Sequence, residues 1–116
     1  MAYMSQTRSG VSRGPHEHRE QTDMFAFLGP GDFQLYLWDA RRESGTFRSM
    51  LKISVGESNP MTVVVPPGIV HAYRKISDTP AVVMNLPKRL YRGVGKGDPV
   101  DEIRHEDDPH SPYQLD

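Results

Sequence analysis

The amino-acid sequence predicts an all-β fold, either a sandwich or a barrel of short strands. Residues 33–38 carry Phe or Leu at every second position, which is typical of a strand with one face directed inward. The chain contains 10 Gly and 10 Pro, and these interrupt the apolar runs at spacings of roughly 8–12 residues. No segment has the 3.6-residue apolar period of an amphipathic helix.

Turn signals bound the predicted strands. The apolar run at residues 24–28 ends at the Gly-Pro-Gly-Asp turn of residues 29–32, and the run at residues 61–65 ends at Pro-Pro-Gly, residues 66–68. Residues 41–45 are predicted to form a loop. Further strands are predicted at residues 51–55, 70–76 and 81–84.

Length, charge and composition exclude several classes of protein. A chain of 116 residues predicts one domain with a single modest core. The net charge of −1 argues against nucleic acid or an anionic membrane as a partner. No apolar run approaches the roughly 18 residues of a membrane span. Cysteine is absent, which excludes disulfides and thiolate chemistry, and the first residues lack a basic-then-apolar signal pattern. We therefore expect a soluble cytoplasmic protein.

The composition changes near the carboxyl end. Three glycines at residues 93–97 are followed by an acidic stretch. We predict that residues 1–98 form the β-barrel and that residues 99–116 form an extended C-terminal tail.

Three of the five histidines fall into a recognisable arrangement. His16 and His18 share one face if they lie on a strand, and Asp23 follows them. His71 comes after the Pro-Pro-Gly turn of residues 66–68, where a later antiparallel strand can bring it beside the first pair. Either half alone is also compatible with a charged loop or a simple turn. Both halves together, in this order and between predicted strands, favour a functional site.

This two-part pattern resembles the cupin superfamily. The first cupin motif is a His-x-His pair followed by a carboxylate, and the second is Pro-x-Gly-x-x-His. Residues 66–71 match the second motif at every defined position, whereas Asp23 stands where the first motif usually has Glu. The resemblance implies a cupin-type double-stranded β-helix, which is a jelly-roll barrel.

A closer resemblance covers residues 10–109. Residues 13–16, Arg-Gly-Pro-His, are similar to the Arg-Gly-Leu-His segment of the nucleotide-sugar 3,5-epimerases, the dTDP-4-dehydrorhamnose 3,5-epimerase family. Residues 65–73 and the turn at residues 76–79 resemble the Pro-x-Gly-x-x-His-Gly-Phe strand of that family and the turn after it. Tyr91, the Glu-Ile pair at residues 102–103 and the Asp-Asp-Pro at residues 107–109 are similar to its ending.

The resemblance implies a reaction and a set of roles. These enzymes remove and replace protons at the two carbons beside the ketone of a dTDP-linked 4-keto-6-deoxy sugar, without a cofactor. His16 would be the base, because an ordinary imidazole pKa of about 6.5 suits proton transfer near neutral pH. Asp108 would orient His16, and Tyr91 would donate a proton from the opposite face. His71 would line the pocket, and Arg13 would hold the nucleotide diphosphate.

Two alternatives remain open. The family carries a Lys, directed at the developing oxyanion, where this chain has Asp23. With Asp23, the set His16, His18, Asp23 and His71 matches the ligands of a metal-holding cupin, which would bind a divalent transition metal and act on another small molecule. His16 cannot use one nitrogen both to bind a metal and to remove a proton. The second alternative is a non-catalytic sugar-binding module.

A homodimer is expected in any of these cases. The resemblance to the 3,5-epimerase family implies a dimer by analogy. A short barrel also tends to cover its open edge strands against a partner.

Overall fold

The computed structural model describes residues 2–8, 11–87 and 101–116. These residues form nine strands and a 3-10 helical turn, His105–Asp107. No helix among them is long and apolar enough to cross a membrane. The strands are β1 (Tyr3–Thr7), β2 (Ser12–Glu17), β3 (Asp23–Phe27), β4 (Asp32–Asp39), β5 (Met50–Gly56), β6 (Met61–Val65), β7 (Ile69–Lys75), β8 (Ala81–Pro87) and β9 (Ile103–Arg104).

The strands form two antiparallel sheets. One sheet has the order β1-β8-β3-β6, and the other has the order β5-β4-β7-β2-β9. Strands that are neighbours in a sheet are mostly distant in the chain, as in β4 and β7, so the sheets are built largely by crossover connections. The prediction of an all-β jelly-roll barrel is therefore confirmed.

The six strands predicted between residues 24 and 84 all occur, with ends that differ by a few residues. The period-2 pattern did not identify β1, β2 and β9, and β2 entered the sequence prediction only as a possible strand for His16. The two outermost of these strands, β1 and β9, have simple explanations. β1 is an edge strand that pairs only with β8 among the described residues, and most of its side chains are exposed. β9 has two residues and exists because it pairs with β2. Neither strand needs the alternating pattern, because neither buries a full face.

The main core lies between the two sheets and is rich in aromatic side chains. Phe27 and Phe33 are fully buried, and their ring centroids lie 5.6 Å apart. Burial of each such side chain contributes about 1.5–3 kcal/mol. The buried core residues are Phe25, Phe27, Phe33, Leu35, Val55, Val65, Tyr73, Ala81 and Val83.

A second cluster covers the outer face of the five-stranded sheet. Tyr36 and Trp38 alternate with the inward side chains of β4, yet they are only 1% and 5% exposed. Tyr113 and Leu115 of the C-terminal segment pack against them. The Tyr36 hydroxyl also donates a hydrogen bond to the Asp116 carboxylate at 2.8 Å. The predicted boundary between barrel and tail, at residues 98 and 99, lies outside the described residues and stays a prediction.

Candidate active site

The pairing of β2 with β7 brings His16 directly opposite His71. The register shifts between Arg13 and His16, and Gly14 adopts a φ of 83° at this irregularity. A Cβ atom on Gly14 would lie 2.4 Å from the carbonyl oxygen of His71, so any other residue would separate the strands. The two imidazole rings end up edge to face, with centroids 4.5 Å apart.

His18 and Asp23 complete a polar cluster at the same end of the interior. His18 follows β2 and lies 6.1 Å from His16 and 5.9 Å from His71 between ring centroids. Its Nε2 is 2.9 Å from Oδ2 of Asp23, the first residue of β3. The other oxygen of Asp23 accepts a hydrogen bond from the Gln21 side-chain amide at 2.5 Å. Three imidazoles and one carboxylate therefore share one end of the barrel.

His16 and His71 are held as neutral bases. Burial lowers the pKa of His16 to about 4, and the charges of His18 and Arg104 act in the same direction. His71 is 1% exposed, and burial lowers its pKa to about 3, with His16 as the next cause. Nδ1 of His71 is 3.3 Å from the carbonyl oxygen of Ile69 and must be the protonated nitrogen. Its Nε2 is buried, with a free lone pair and no hydrogen-bond partner among the described residues.

His18 is the opposite case, a charged imidazole. Its Nδ1 meets the backbone carbonyl of Asp101, and its Nε2 meets the carboxylate of Asp23. Both partners can only accept, so both ring nitrogens must carry hydrogen. Burial lowers the pKa of His18, but the hydrogen bonds to Asp23 and Asp101 outweigh it and hold the pKa above its ordinary value. Burial also raises the pKa of Asp23, yet His18 holds that pKa below its usual range.

Two carboxylates of the C-terminal segment approach His16. Nδ1 of His16 lies 3.6 Å from Oε1 of Glu102 and 3.5 Å from Oε1 of Glu106. They arrive there because β9 pairs with β2, with Arg104 opposite His16. Burial raises the pKa of Glu106. Neither glutamate is among the predicted site residues. Glu102 belongs to the Glu-Ile pair that resembles the family ending, whereas Glu106 was indicated only by the acidic character of the segment.

The remaining predicted site residues lie apart from this cluster or cannot be located. Arg13 is exposed and stands opposite Tyr73 in the pairing of β2 with β7. Asp108 is exposed, and its Oδ1 accepts a hydrogen bond from the backbone N–H of His110 at 2.9 Å. The described residues include no ion pair between Asp108 and His16. Tyr91 lies outside the described residues.

Three of the four predicted metal ligands come close enough to share an ion. His18, Asp23 and His71 each offer one ligand atom, and these atoms lie within 4.8 Å of one another. His16 is not part of this group. Two nitrogens and one oxygen, with further positions open, suit a divalent transition metal.

The matching family model is described as dTDP-4-dehydrorhamnose 3,5-epimerase and spans residues 2–103. The chain belongs to this family. The spore coat polysaccharide biosynthesis protein SpsL of Bacillus subtilis is 34% identical over 90 residues, which are 78% of this chain and 59% of that protein. A probable low-salt glycan biosynthesis epimerase of Haloferax volcanii is 33% identical over 92 residues, covering 78% and 58%. The chain thus spans less than two thirds of the length of these two relatives.

Solved structures agree with the fold of the 3,5-epimerase family. The dTDP sugar isomerase of Desulfovibrio desulfuricans superposes with a TM-score of 0.81 at 23% identity, over 98% of this chain and 69% of that one. A dTDP-6-deoxy-D-glucose-3,5-epimerase of Legionella pneumophila, solved with dTDP-4-keto-L-rhamnose, superposes with a TM-score of 0.72 at 21% identity. That match covers 90% of this chain and 52% of the other.

Proposed function

We propose that this chain acts as a nucleotide-sugar 3,5-epimerase on a dTDP-linked 4-keto-6-deoxy sugar. One observation carries the proposal: His16 is a neutral, half-buried imidazole packed against His71 inside the barrel. A base must be unprotonated to remove a proton, and exclusion of water strengthens the electrostatic interactions around it. The family match and the Haloferax volcanii relative, which is described as a probable epimerase, support the same reaction class.

His16 is proposed to take the proton from the carbon beside the ketone. The electron pair of the broken C–H bond moves toward the ketone oxygen, and the imidazole becomes a cation. Glu102 and Glu106 flank Nδ1 of His16 and would stabilise that cation. They are therefore candidates for the orienting role that the family resemblance assigned to Asp108. Asp108 itself stays a prediction.

Asp23 stands at the position of the family Lys, so this proposal requires another source of positive charge for the enolate oxygen. Asp23 alone would repel an enolate, but its carboxylate is paired with the His18 cation and bonded to Gln21. The pair is close to neutral, and the imidazolium supplies positive charge at the same end of the barrel. An oxyanion is stabilised by fixed positive charge of this kind in a site that excludes water.

Substrate binding and the second proton transfer involve residues around this cluster. The free Nε2 lone pair of His71 can accept a hydrogen bond from a sugar hydroxyl. Arg13 remains the candidate for the diphosphate, because a guanidinium forms charge-assisted bonds with phosphate oxygens. Tyr91 remains the candidate for the proton donor on the opposite face, by the family resemblance.

The test is proton exchange in deuterated water. The protein is incubated with dTDP-4-keto-6-deoxyglucose, and deuterium at the two carbons beside the ketone is measured by mass spectrometry and NMR. We expect incorporation by the native protein. His16→Gln should reduce it by at least about 100-fold, the usual contribution of a general base.

His110→Gln is the matched control, because His110 is an exposed histidine of the C-terminal segment. It should exchange at the native rate. Absence of deuterium in the native protein, with substrate bound, would refute the proposal and leave a sugar-binding module. Equal exchange by the native protein and His16→Gln would refute the role of His16.

A second candidate function is a metal-dependent reaction on another small molecule. The observation that favours it is the three-residue group of His18, Asp23 and His71, with the unpartnered Nε2 of His71 directed away from its backbone contact. Metal binding would require loss of the proton that His18 shares with Asp23. Because His16 stands outside this group, it would remain free to act as a base.

Metal content decides between the two candidates. The protein is loaded with Zn²⁺, Mn²⁺, Ni²⁺ or Fe²⁺, passed through a desalting column and analysed by elemental mass spectrometry. Retention of about one ion per chain, lost in Asp23→Asn and kept in His110→Gln, supports the metal site. Retention of no ion by the native protein contradicts it.

The chain is further proposed to form a homodimer. The outer face of the four-stranded sheet carries exposed apolar side chains, among them Met4, Val64 and Met84. Met4 stands opposite Met84 across β1 and β8. Contiguous apolar surface of this kind commonly marks an interface. The cytoplasmic location stays a prediction.

Light scattering after size-exclusion chromatography tests the dimer. The native protein should elute with twice the chain mass, and Met84→Glu should elute as a monomer. Asp78→Asn changes an exposed position in the turn before β8 and serves as the control. A native protein that is monomeric at high concentration contradicts this proposal.

A further inference from the structure

Asp101 makes an unusual set of contacts with the turn between β2 and β3. Its carboxylate accepts hydrogen bonds from three consecutive backbone N–H groups, those of Arg19 at 2.8 Å and of Glu20 and Gln21 at 2.9 Å each. Its backbone carbonyl accepts the hydrogen bond from Nδ1 of His18. One residue thus binds four consecutive residues that lie 80 to 83 positions away in the chain.

We propose that Asp101 is a positioning residue that holds the His18–Asp23 pair in the orientation the reaction needs. Both donors to the Asp23 carboxylate lie within the turn that Asp101 binds. His18 donates to Oδ2 at 2.9 Å, and Gln21 donates to Oδ1 at 2.5 Å. The side chain of Asp101 fixes the turn, and its carbonyl fixes the rotation of the His18 ring.

The direction of the His18 ring matters because the ring has two nitrogens. A carbonyl on Nδ1 forces Nε2 to face Asp23, and a ring turned by half a rotation would leave the buried carboxylate without its cation. The side chain of Asp23 is only 11% exposed, so water would replace that partner poorly. Loss of the Asp101 contacts would therefore leave Asp23 as an uncompensated charge beside the site of the enolate.

A second aspartate in the same barrel makes comparable contacts but lies far from the site. Asp32 accepts hydrogen bonds from the backbone N–H and the hydroxyl of Ser58, at 2.9 Å each. It begins β4, and Leu37, which is the partner of His71, follows five residues later, about 16 Å along the strand. Asp32→Ala therefore removes hydrogen bonds to a turn without touching the histidines.

This inference rests on the proposed epimerase function, but its structural part can be measured without catalysis. Amide hydrogen exchange at Arg19, Glu20 and Gln21 should accelerate at least tenfold in Asp101→Ala. The ¹⁵N chemical shifts of the His18 ring should change from those of an imidazolium bonded at both nitrogens. Unchanged exchange and unchanged ring shifts would overturn the inference, whatever the activity.

Deuterium incorporation into dTDP-4-keto-6-deoxyglucose then measures the effect on the reaction. We expect kcat to fall at least tenfold in Asp101→Ala with KM within about twofold of the native value, because binding contacts at Arg13 are untouched. Asp101→Asn keeps one acceptor oxygen, so its kcat should lie between those of the native protein and Asp101→Ala. This variant also tests the inference if Asp101→Ala folds poorly. Asp32→Ala should lower the melting temperature and leave kcat unchanged.

The failure of this inference differs from the failure of the proposed function. If the native protein exchanges no deuterium, the epimerase proposal fails. Amide hydrogen exchange and the ¹⁵N shifts of the His18 ring still show whether Asp101 holds the turn and the ring. If Asp101→Ala loses thermal stability as Asp32→Ala does but keeps the native kcat, Asp101 is only structural and the positioning role is overturned.

Discussion

The two ends of the barrel interior use the same inward positions for opposite chemistry. Along β3, Asp23 is followed by Phe25 and Phe27, and along β7, His71 is followed by Tyr73. Phe25 lies at the border, with its ring centroid 5.4 Å from His71 and 6.2 Å from Tyr73. One end is an aromatic core and the other is a cluster of histidines. The strands continue without interruption between them.

The difference lies in how well each end satisfies its buried atoms. The aromatic rings need only packing, which burial supplies. In the histidine cluster, Nδ1 of His16 and Nε2 of His71 are buried with no hydrogen-bond partner in the described part of the chain. Such groups cost roughly 1–3 kcal/mol each. The proposed site therefore lies at the end of the barrel where burial is less well compensated by hydrogen bonds.

Phe27→Ala should have the largest effect, because it acts on the aromatic end. Phe27 is fully buried and contacts Phe25, Phe33 and Tyr73. We expect the free energy of unfolding to fall by about 3–5 kcal/mol, measured by urea denaturation. Phe27→Leu, which keeps most of the volume, should cost clearly less. A loss below about 1 kcal/mol for the Ala variant would contradict the assignment of the core to this end.

Acid should weaken the histidine end selectively. The pKa of His16 is lowered to about 4 and that of His71 to about 3, whereas an unfolded His has a pKa of about 6.5. The unfolded chain therefore binds more protons below pH 6.5, so stability is fully present above that pH and is lost as the pH falls toward 4. The expected slope is on the order of 1 kcal/mol per pH unit for each histidine.

Urea denaturation of chelator-treated protein between pH 7 and pH 4 measures this slope. His71→Leu should flatten it, because one of the two contributing histidines is gone. A slope that is the same with and without His71 would mean that the buried imidazole is not the group that titrates.

Tyr113→Ala tests the outer cluster, which lies on the other side of the five-stranded sheet from His16 and His71. Its ring packs against Trp38 and His105, with centroid distances of 5.8 Å and 4.8 Å. We expect a loss of about 1–2 kcal/mol in the free energy of unfolding. Tyr113→Phe keeps the ring and should match the native protein. Because the same segment carries Glu102 and Glu106, deuterium exchange should also fall in the Ala variant.

His71→Leu should have the smallest effect on stability and is the sharpest test of the comparison. Replacing a buried unpaired nitrogen by an apolar side chain is expected to leave the free energy of unfolding at pH 7 unchanged or raised by up to about 1 kcal/mol. Thermal and urea unfolding measure it, with His110→Leu as the exposed control. A loss above about 2 kcal/mol would mean that Nε2 of His71 has a partner in solution.

Much of the architecture follows from local patterns. The period-2 runs and the Gly and Pro turns predict six of the strands, because alternation and turn geometry are properties of neighbouring residues. The His-x-His pair and the second motif ending at His71 also identify which imidazoles to examine. Their pairing across β2 and β7 is the one long-range contact that the order of motifs anticipates.

The rest depends on contacts between distant parts of the chain. Alternation predicts which residues point inward, but it does not predict which end of a strand has polar neighbours. The protonation states of His16, His18 and His71 depend on those neighbours, so they follow only from the packed structure. The C-terminal segment has no periodic pattern, yet it brings Glu102 and Asp101 to the cluster. Patterns among neighbouring residues cannot predict such contacts, because the interacting groups meet only after both sheets have formed.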